Sequence, residues 1–589
     1  MEVNGKVTPT LLINNGLIVD GSGRSTFKGA IAISGERIIE IGEVFSPDCA
    51  KIIDAEGLVV SPGFIDAHSH ADKTLFLYPT ADSFVMQGVT TTIGGNCGNT
   101  AAPLEDYWPL NMFWDLDAIY ELRPFKYSHK EPLPFKEFKL KAEELYGLDV
   151  DWCTFAEFLA RLEKEGLSVN HVPLVGHNTI RTEAMGAECE RKPTAAEMDK
   201  MKRMVAEAME AGAFGLSTGL DYIPGIHADT AEIMELVQVV KDYGGIYVTH
   251  LRSGGIGRGK TRPPANRIEG IIEAVEIGRK TGVPVQISHL LPGYRVDPPP
   301  PKQLLEAVAQ ATLAVIDAAR GEGVDVTFDV IPNVTGGTLT ATDLVATLAP
   351  WLREIGSPER LAESLRAKDF RAEITEAISS GKWPSLNSAT NPYWMDNLIV
   401  TRCKVNGYIG KTIGEIARGE DADPLDTLFG IIMKDPAAKM RSEFLREEAV
   451  ITFLKHPAAM VGLDTYTFDT DWQMKYPPYY LPHPNTYGGF PRYLRRYVNE
   501  LGIMSLEEAI HKATYAPAKR FGLKERGVLA AGAYADIVLF DKAAIRECDD
   551  ALEPRRYPQG IEYVIINGRV VVEAGRHTAA RPGEVLRMR

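Results

Sequence analysis

Ser61-Pro62-Gly63-Phe64-Ile65-Asp66-Ala67-His68-Ser69-His70 decides how the rest of the chain is read. Pro62-Gly63 punctuates the start of a short apolar strand over Gly63-Phe64-Ile65-Asp66-Ala67. Successive side chains of a strand alternate between its two faces, so imidazoles two residues apart at its end point to the same side. His68 and His70 can therefore bind one metal ion together. A pair of this kind is a weak signal by itself. Its weight comes from the residues that stand at the ends of later strands.

Working outward from that strand, the middle of the chain alternates strand and helix. Thr194-x-x-Glu197 is a capping box, and Met198, Met201, Val205 and Ala208 follow at helical spacing. The helix is expected to stop at Gly212, with Ala213-Phe214-Gly215-Leu216-Ser217 after it as a buried strand. Helices over about 230–243 and 267–281 lead in the same way into strands ending at His250 and His289. Candidate parallel strands lie near residues 64–68, 89–93, 171–176, 213–217, 246–250, 283–289, 324–329 and 459–464. Eight such strands with helices between them indicate an α/β fold of the (β/α)₈ TIM-barrel kind. The interval 335–445 reads as an insertion before the last barrel strand. A second insert, 104–150, is rich in aromatics (Tyr107, Trp108, Phe113, Trp114, Tyr120, Phe125, Tyr127) and suits a lid or an oligomer contact.

The two ends read differently from the middle and like each other. Residues 10–60 and 526–575 are short alternating strands broken by glycine, such as Ala30-Ile31-Ala32-Ile33 and Ala535-Asp536-Ile537-Val538-Leu539-Phe540. One small β-sandwich built from both termini is expected. The predicted organisation is residues 1–62 and 521–589 for the sandwich and 63–520 for the barrel with its two insertions. At 589 residues the chain exceeds one ordinary core, which agrees with this partition.

In a (β/α)₈ barrel the reacting groups stand at the C-terminal ends of the strands. His68 and His70 end the first strand, and Cys97 follows the second in Gly94-Gly95-Asn96-Cys97-Gly98. His177 follows the third, His250 ends the fifth, His289 ends the sixth and Asp464 ends the eighth. Nitrogen, sulfur and carboxylate donors together suit zinc. The chemistry expected of such a set is a metal-activated water, with Asp464 as the base that accepts its proton. Plainer readings exist for each residue. Paired core histidines would need hydrogen-bond partners, a free Cys is commonly a small hydrophobe, and Asp464 could cap a loop, with Asp469 and Asp471 as rivals. Arg252 suits an anionic group or an ion pair, and Tyr222 suits the pocket wall or packing.

A formal net charge of -15 argues against nucleic acid or an anionic membrane surface as the main partner. The six cysteines (Cys49, Cys97, Cys153, Cys189, Cys403, Cys548) show no paired spacing, which suits thiols in a reducing compartment. Residues 1–10 carry no basic-then-apolar run, and no stretch reaches the roughly 18–20 apolar residues of a membrane span. A cytoplasmic protein acting on a small molecule is expected, with homo-oligomerisation compatible but unsignalled.

These motifs resemble the amidohydrolase superfamily, and most closely its N-acyl-D-amino-acid deacylase (D-aminoacylase) branch. The resemblance runs through Pro62–His70, Gly88-Val89-Thr90-Thr91-Thr92, Gly95-Asn96-Cys97-Gly98, Leu174-Val175-Gly176-His177-Asn178 and Gly215-Leu216-Ser217-Thr218-Gly219. It continues in Thr249-His250-Leu251-Arg252, Ile287-Ser288-His289, His483-Pro484 and Tyr487-Gly488-Gly489-Phe490-Pro491-Arg492. It implies a tightly held zinc on Cys97, His250 and His289, and a second, weaker metal position at His68, His70 and Asp464, with Asp464 catalytic. His177, Arg252 and Tyr222 are the candidates for substrate contact, with a loop histidine, an ion pair and packing as their respective alternatives. The branch's lysine two residues after the last metal histidine is Leu291 here. Its Asp-x-Tyr-Pro-Tyr run is Asp329-Val330-Ile331-Pro332-Asn333, and its acidic pair after His-x-Arg is Ser253-Gly254. The leading expectation is a zinc-dependent amidohydrolase acting on an N-acyl-D-amino acid. The alternatives are a cyclic-amide hydrolase of the dihydroorotase or hydantoinase kind, and a non-catalytic scaffold without stoichiometric metal.

Overall fold

The computed structural model describes residues 2–3, 6–43, 49–108, 115–122, 132–221, 223–252, 267–294, 301–341, 355, 357–379, 394–443, 446–473, 481–548 and 553–588. Parallel strands make two arcs. One holds Asn170–Pro173, Val89–Gly94 and Phe64–Asp66. The other runs through Val175–Gly176, Gly215–Gly219, Ile246–His250, Val285–Ile287, Val326–Val330 and Ala459–Val461. Backbone hydrogen bonds link the arcs at both ends. Ala67 N donates to Val461 O at 3.1 Å and Asp464 N to His68 O at 2.8 Å; across the other junction Leu174 N donates to Gly94 O at 3.0 Å and Phe214 N to Pro173 O at 2.8 Å.

These strands are near-continuous apolar or small-residue runs because they are covered on both faces. Val89–Gly94, Gly215–Gly219 and Ile246–His250 are buried at every position. Helices Ala195–Glu210, Thr230–Asp242, Ile268–Thr281 and Lys302–Gly321 supply the cover. The first is opened by Thr194, whose side chain accepts from Glu197 N while the Glu197 side chain accepts from Thr194 N. Its Met198, Met201, Met204, Val205, Ala208 and Met209 form the buried stripe. The strand expected over 213–217 lies two residues later, at Gly215–Gly219.

Strands from both ends of the chain join one nine-stranded sheet, in which Val59–Pro62 pairs antiparallel with Ile537–Phe540. The period of two sorts its side chains. Ile537 and Leu539 enter a cluster with Leu11, Ile31 and Val60, whereas Val538 and Phe540 turn to the large core shared with the parallel strands. The sequence predicts a small β-sandwich from both termini; hydrogen bonding runs continuously through one sheet to which both termini contribute.

The interval before the last parallel strand contains a three-stranded antiparallel sheet of Thr335–Thr340, Lys439–Glu443 and Leu398–Arg402. Leu361, Val400, Ile413, Leu428, Ile432 and Met440 give it a hydrophobic cluster of its own. In the insert over 104–150, Tyr107–Trp108 pairs with Leu133–Pro134, and the Trp108 ring stacks on Phe138 with centroids 3.8 Å apart. Trp108 and Phe138 are fully buried in the main core, so these aromatics pack inward. Phe113, Trp114, Phe125, Tyr127 and the Tyr120 side chain lie outside the described residues.

A late segment occupies the split between the arcs. His171 N donates to Glu584 O and Leu586 N to His171 O, both at 2.8 Å, and Met588 N donates to Gly212 O at 2.9 Å. All six cysteines are free thiols. Among the described residues no helix is long and apolar enough to cross a membrane.

Candidate metal centre

Six side chains from the carboxyl ends of five strands converge. Cys97 Sγ lies 3.4 Å from His68 Nε2, 3.5 Å from His289 Nε2 and 3.7 Å from His250 Nδ1. His250 Nδ1 and His289 Nε2 are 2.8 Å apart. Asp464 Oδ1 lies 3.4 Å from His68 Nε2 and 3.0 Å from His70 Nε2. One atom each from His68, Cys97, His289 and Asp464 falls within 4.8 Å of the others. His68 stands between the Cys97 and Asp464 sides, so the two expected halves are one continuous group.

Local structure explains why these side chains meet. Cys97, His289 and Asp464 hold φ values of 55°, 34° and 52°, in the left-handed region that non-glycine residues seldom enter. The Cys97 loop is braced by Asn96, whose Nδ2 donates to Ile93 O at 2.7 Å and Ser69 O at 3.2 Å, and by Gly98 N donating to Ser217 Oγ at 3.0 Å. Gly462 lies so close behind His68 that an added Cβ would meet His68 Cβ at 2.6 Å. Asp329 Oδ1 accepts from His289 N at 2.7 Å and stands 3.4 Å from His68 Nδ1, while its Oδ2 accepts from Gln286 Nε2 at 2.9 Å. One carboxylate thus fixes the His289 backbone and stands beside the His68 imidazole. Asp66 Oδ1 similarly accepts from His68 N and Leu463 N, at 3.1 and 2.9 Å.

The electrostatics are those of a cation site. Burial acts to raise the Cys97 thiol, but the His68 charge and hydrogen bonds from His250, His289 and His68 outweigh it and hold the thiol well below its ordinary range. Burial likewise opposes ionisation of Asp464, and His68, His70 and His289 overcome it, holding the carboxyl well below the usual carboxylate range. Against burial, Asp329, Cys97 and Asp464 raise His68 well above an ordinary imidazole; Asp221 and Cys97 raise His250 to about 9. A field that draws protons onto these nitrogens also draws a metal cation, which competes for the same lone pairs. Among the described residues His70 Nδ1 has no hydrogen-bond partner. Thiolate, imidazole and carboxylate donors in one buried group fit zinc.

Two of the three predicted contact residues, His177 and Arg252, are held in networks of their own. His177 is fully buried, with Nε2 at 2.8 Å from Glu232 Oε1 and Nδ1 at 3.3 Å from Asn178 Oδ1. Arg181 Nε donates to the same Glu232 oxygen at 2.8 Å, so the imidazole belongs to a buried His–Glu–Arg network. Arg252 donates to Glu273, Ile226 O and Ala228 O at 2.7–3.3 Å. Its guanidinium is spent on the fold, and a substrate anion would have to displace those partners. Tyr222 lies outside the described residues. The sequence reading assigned no role to Asp329, although it stands at the end of the seventh candidate strand, where the barrel rule looks for function. It also passed over Lys73, a charged residue inside the run Ala71–Phe76 that is buried throughout.

Comparisons with known proteins identify the family. The model of the amidohydrolase family matches residues 51–374 and 477–572. N-acyl-D-glutamate deacylase of Alcaligenes xylosoxydans xylosoxydans is 31% identical over 98% of this chain and 96% of its own length. The chain belongs to the amidohydrolase family. The solved structure of N-acyl-D-glutamate deacylase from Bordetella bronchiseptica, complexed with zinc and a phosphonate inhibitor that mimics the reaction's tetrahedral intermediate, is 29% identical and superposes with a TM-score of 0.68, covering 99% of this chain and all of that one. A D-aminoacylase structure concerned with a binuclear metal centre, one-metal activation and second-metal attenuation is 27% identical, also at 0.68, covering 98% of this chain and all of that one.

Proposed function

We propose that the chain is a zinc-dependent hydrolase that cleaves the amide C–N bond of an N-acyl-D-amino acid. The observation that carries this reading is the convergence of Cys97, His68, His250, His289 and Asp464 at one end of the parallel strands. On the same reading residues 63–520 form a closed (β/α)₈ barrel, with insertions over 104–150 and 335–445, and 1–62 and 521–589 form a small β domain.

Cys97, His250 and His289 would hold the tightly bound ion, and His68, His70 and Asp464 a weaker second one. When bound, zinc supplies a Lewis acid for the amide carbonyl and acidity to a nearby water. The chain's own residues do the rest. Asp464 Oδ1 faces two imidazoles, and the low affinity of this carboxylate for protons keeps it ionised as a base. It takes the proton of the attacking water and returns it to the leaving nitrogen, so the amine departs neutral. Asp329 holds His68 and the His289 backbone in register while this happens.

A panel of N-acetyl-D-amino acids, their L-enantiomers and hydantoins, assayed with zinc-loaded protein, tests the reading. Turnover of the D-series alone is expected. Turnover confined to hydantoins would replace the linear amide by a cyclic one. Asp464→Asn should lower kcat on the order of 10²–10⁴-fold, the usual worth of general acid–base catalysis, while keeping the ion on Cys97, His250 and His289.

A further inference from the structure

Lys73 is only 2% exposed, yet among the described residues its ammonium makes no ion pair or hydrogen bond. Its Nζ lies 5.8 Å from the centroid of the Tyr466 ring. That ring also packs against His70, with centroids 5.4 Å apart. The ammonium therefore stands on the His70 side of the candidate metal centre. Burial lowers its affinity for a proton, and the negative charges of Asp72, Cys97, Asp115 and Asp464 work the other way. In return its charge depresses His70, second only to burial.

A buried ammonium without an acceptor is costly, and native proteins keep one where a partner arrives. No nearby carboxylate forms an ion pair with it among the described residues, although Asp72 Oδ2 has no hydrogen-bond partner there; one oxygen of each neighbouring carboxylate is engaged elsewhere. Asp72 Oδ1 accepts from Gly95 N at 2.7 Å, Asp115 Oδ2 accepts from Trp108 Nε1 at 2.7 Å, and Asp464 Oδ1 faces His68 and His70. Arg181 and Arg252, the guanidinium groups described above, are fully engaged by the fold. At the position two residues past His289, Leu291 offers no charge.

We propose that Lys73 receives the anionic group of the substrate, so that this site selects N-acyl compounds bearing a carboxylate near the scissile amide. The inference rests on the hydrolase reading above and adds the residue that enforces the substrate class. A lysine is a compact point charge with three donors, suited to a carboxylate. The Tyr466 ring contacts both Lys73 and His70. Lys73 would position the amide by its far end and leave the carbonyl to the metal centre.

The test compares zinc-loaded wild type, Lys73→Met and Lys73→Arg on two substrates. N-acetyl-D-methionine carries the carboxylate; N-acetyl-3-(methylthio)propylamine is the same amide with hydrogen in its place. Wild type should prefer the first. Lys73→Met should raise its KM roughly ten- to hundredfold, the span of a lost charge-assisted hydrogen bond. It should leave kcat/KM for the neutral amide and the zinc content unchanged, and Lys73→Arg should restore part of the loss. Equal losses on both substrates, or a wild type indifferent to the carboxylate, would overturn the assignment; the wild-type comparison stands even if a variant misfolds. Should wild type cleave neither amide, the hydrolase reading fails on its own. Calorimetric titration of N-acetyl-D-methionine then decides the anion site: heat of binding lost in Lys73→Met upholds it, and equal or absent binding rejects it.

Discussion

Cys97 sits at φ 55°, where a residue with a Cβ is strained by about 1–2 kcal/mol. A buried free thiol gains nothing from that backbone, whereas a ligand aimed at an ion does. This gives a test in two substitutions. Cys97→Ala and Cys97→Gly should both lose the tightly held zinc, measured as metal per chain after dialysis. Only the glycine variant relieves the backbone, so its metal-free melting temperature should exceed that of the alanine variant. Asp329→Asn keeps the shape but removes the charge that orients His68 and the acceptor for His289 N. Zinc affinity should fall roughly 10–100-fold, as for other partners that orient metal-binding histidines, by competition with a chromophoric chelator. The donors were legible because each stands at a strand end and has a chemistry that few residues share. His177 and Arg252 read as equally plausible because their partners, Glu232 and Glu273, come from helices whose docking no local pattern announces.

At the scale of the element, the parallel strands could be placed because burial on both faces leaves them as short apolar runs between helical periods. The strand at Gly215–Gly219 was displaced by two residues for a reason outside itself. Ala213 and Phe214 lie at the split between the arcs, beside residues 583–588, and nothing in their own sequence records that neighbour. The strand across the split carries a pH liability. Burial alone drives His171 down to about 3 from the ordinary 6.5, and its Nδ1 meets Thr92 Oγ1 at 3.1 Å. The unfolded chain takes up this proton below about 6.5 and the folded one does not. Stability is therefore full above that pH and falls as the pH drops from 6.5 towards 3, by on the order of 4 kcal/mol at 1.36 kcal/mol per unit. Denaturant midpoints of wild type and His171→Gln, measured between pH 4 and 7, should converge on acidification, because the variant has no such proton to bind.

For the molecule as a whole, the division into strand-rich ends and an alternating middle was readable from the glycine-broken β pattern. That both ends build one β unit was read from the same pattern; the particular pairing of Val59–Pro62 with Ile537–Phe540 was not, since it leaves no trace in either segment alone. Residues 583–588 are likewise unremarkable as sequence. Even so, Arg587 donates to Glu163 Oε1 at 2.7 and 3.0 Å and to Ala211 O at 2.7 Å, tying helix Phe155–Glu165 to the turn before the split. Removing 583–589 should expose the backbone of Leu167–His171 and Gly212. Hydrogen exchange there should rise by orders of magnitude, while the amides of Leu398–Arg402, whose Leu398 and Val400 belong to a separate hydrophobic cluster, stay protected.

The pairing of the first strands with the last ones also sets a clock on synthesis. At roughly 5–20 residues per second, Val59–Pro62 waits on the order of half a minute or more before Ile537–Phe540 leaves the ribosome. Through that interval one apolar edge of the nascent chain has no native neighbour, although every candidate donor down to Asp464 is made before it ends. The residues of the candidate centre are thus all present before the sheet beneath them is closed.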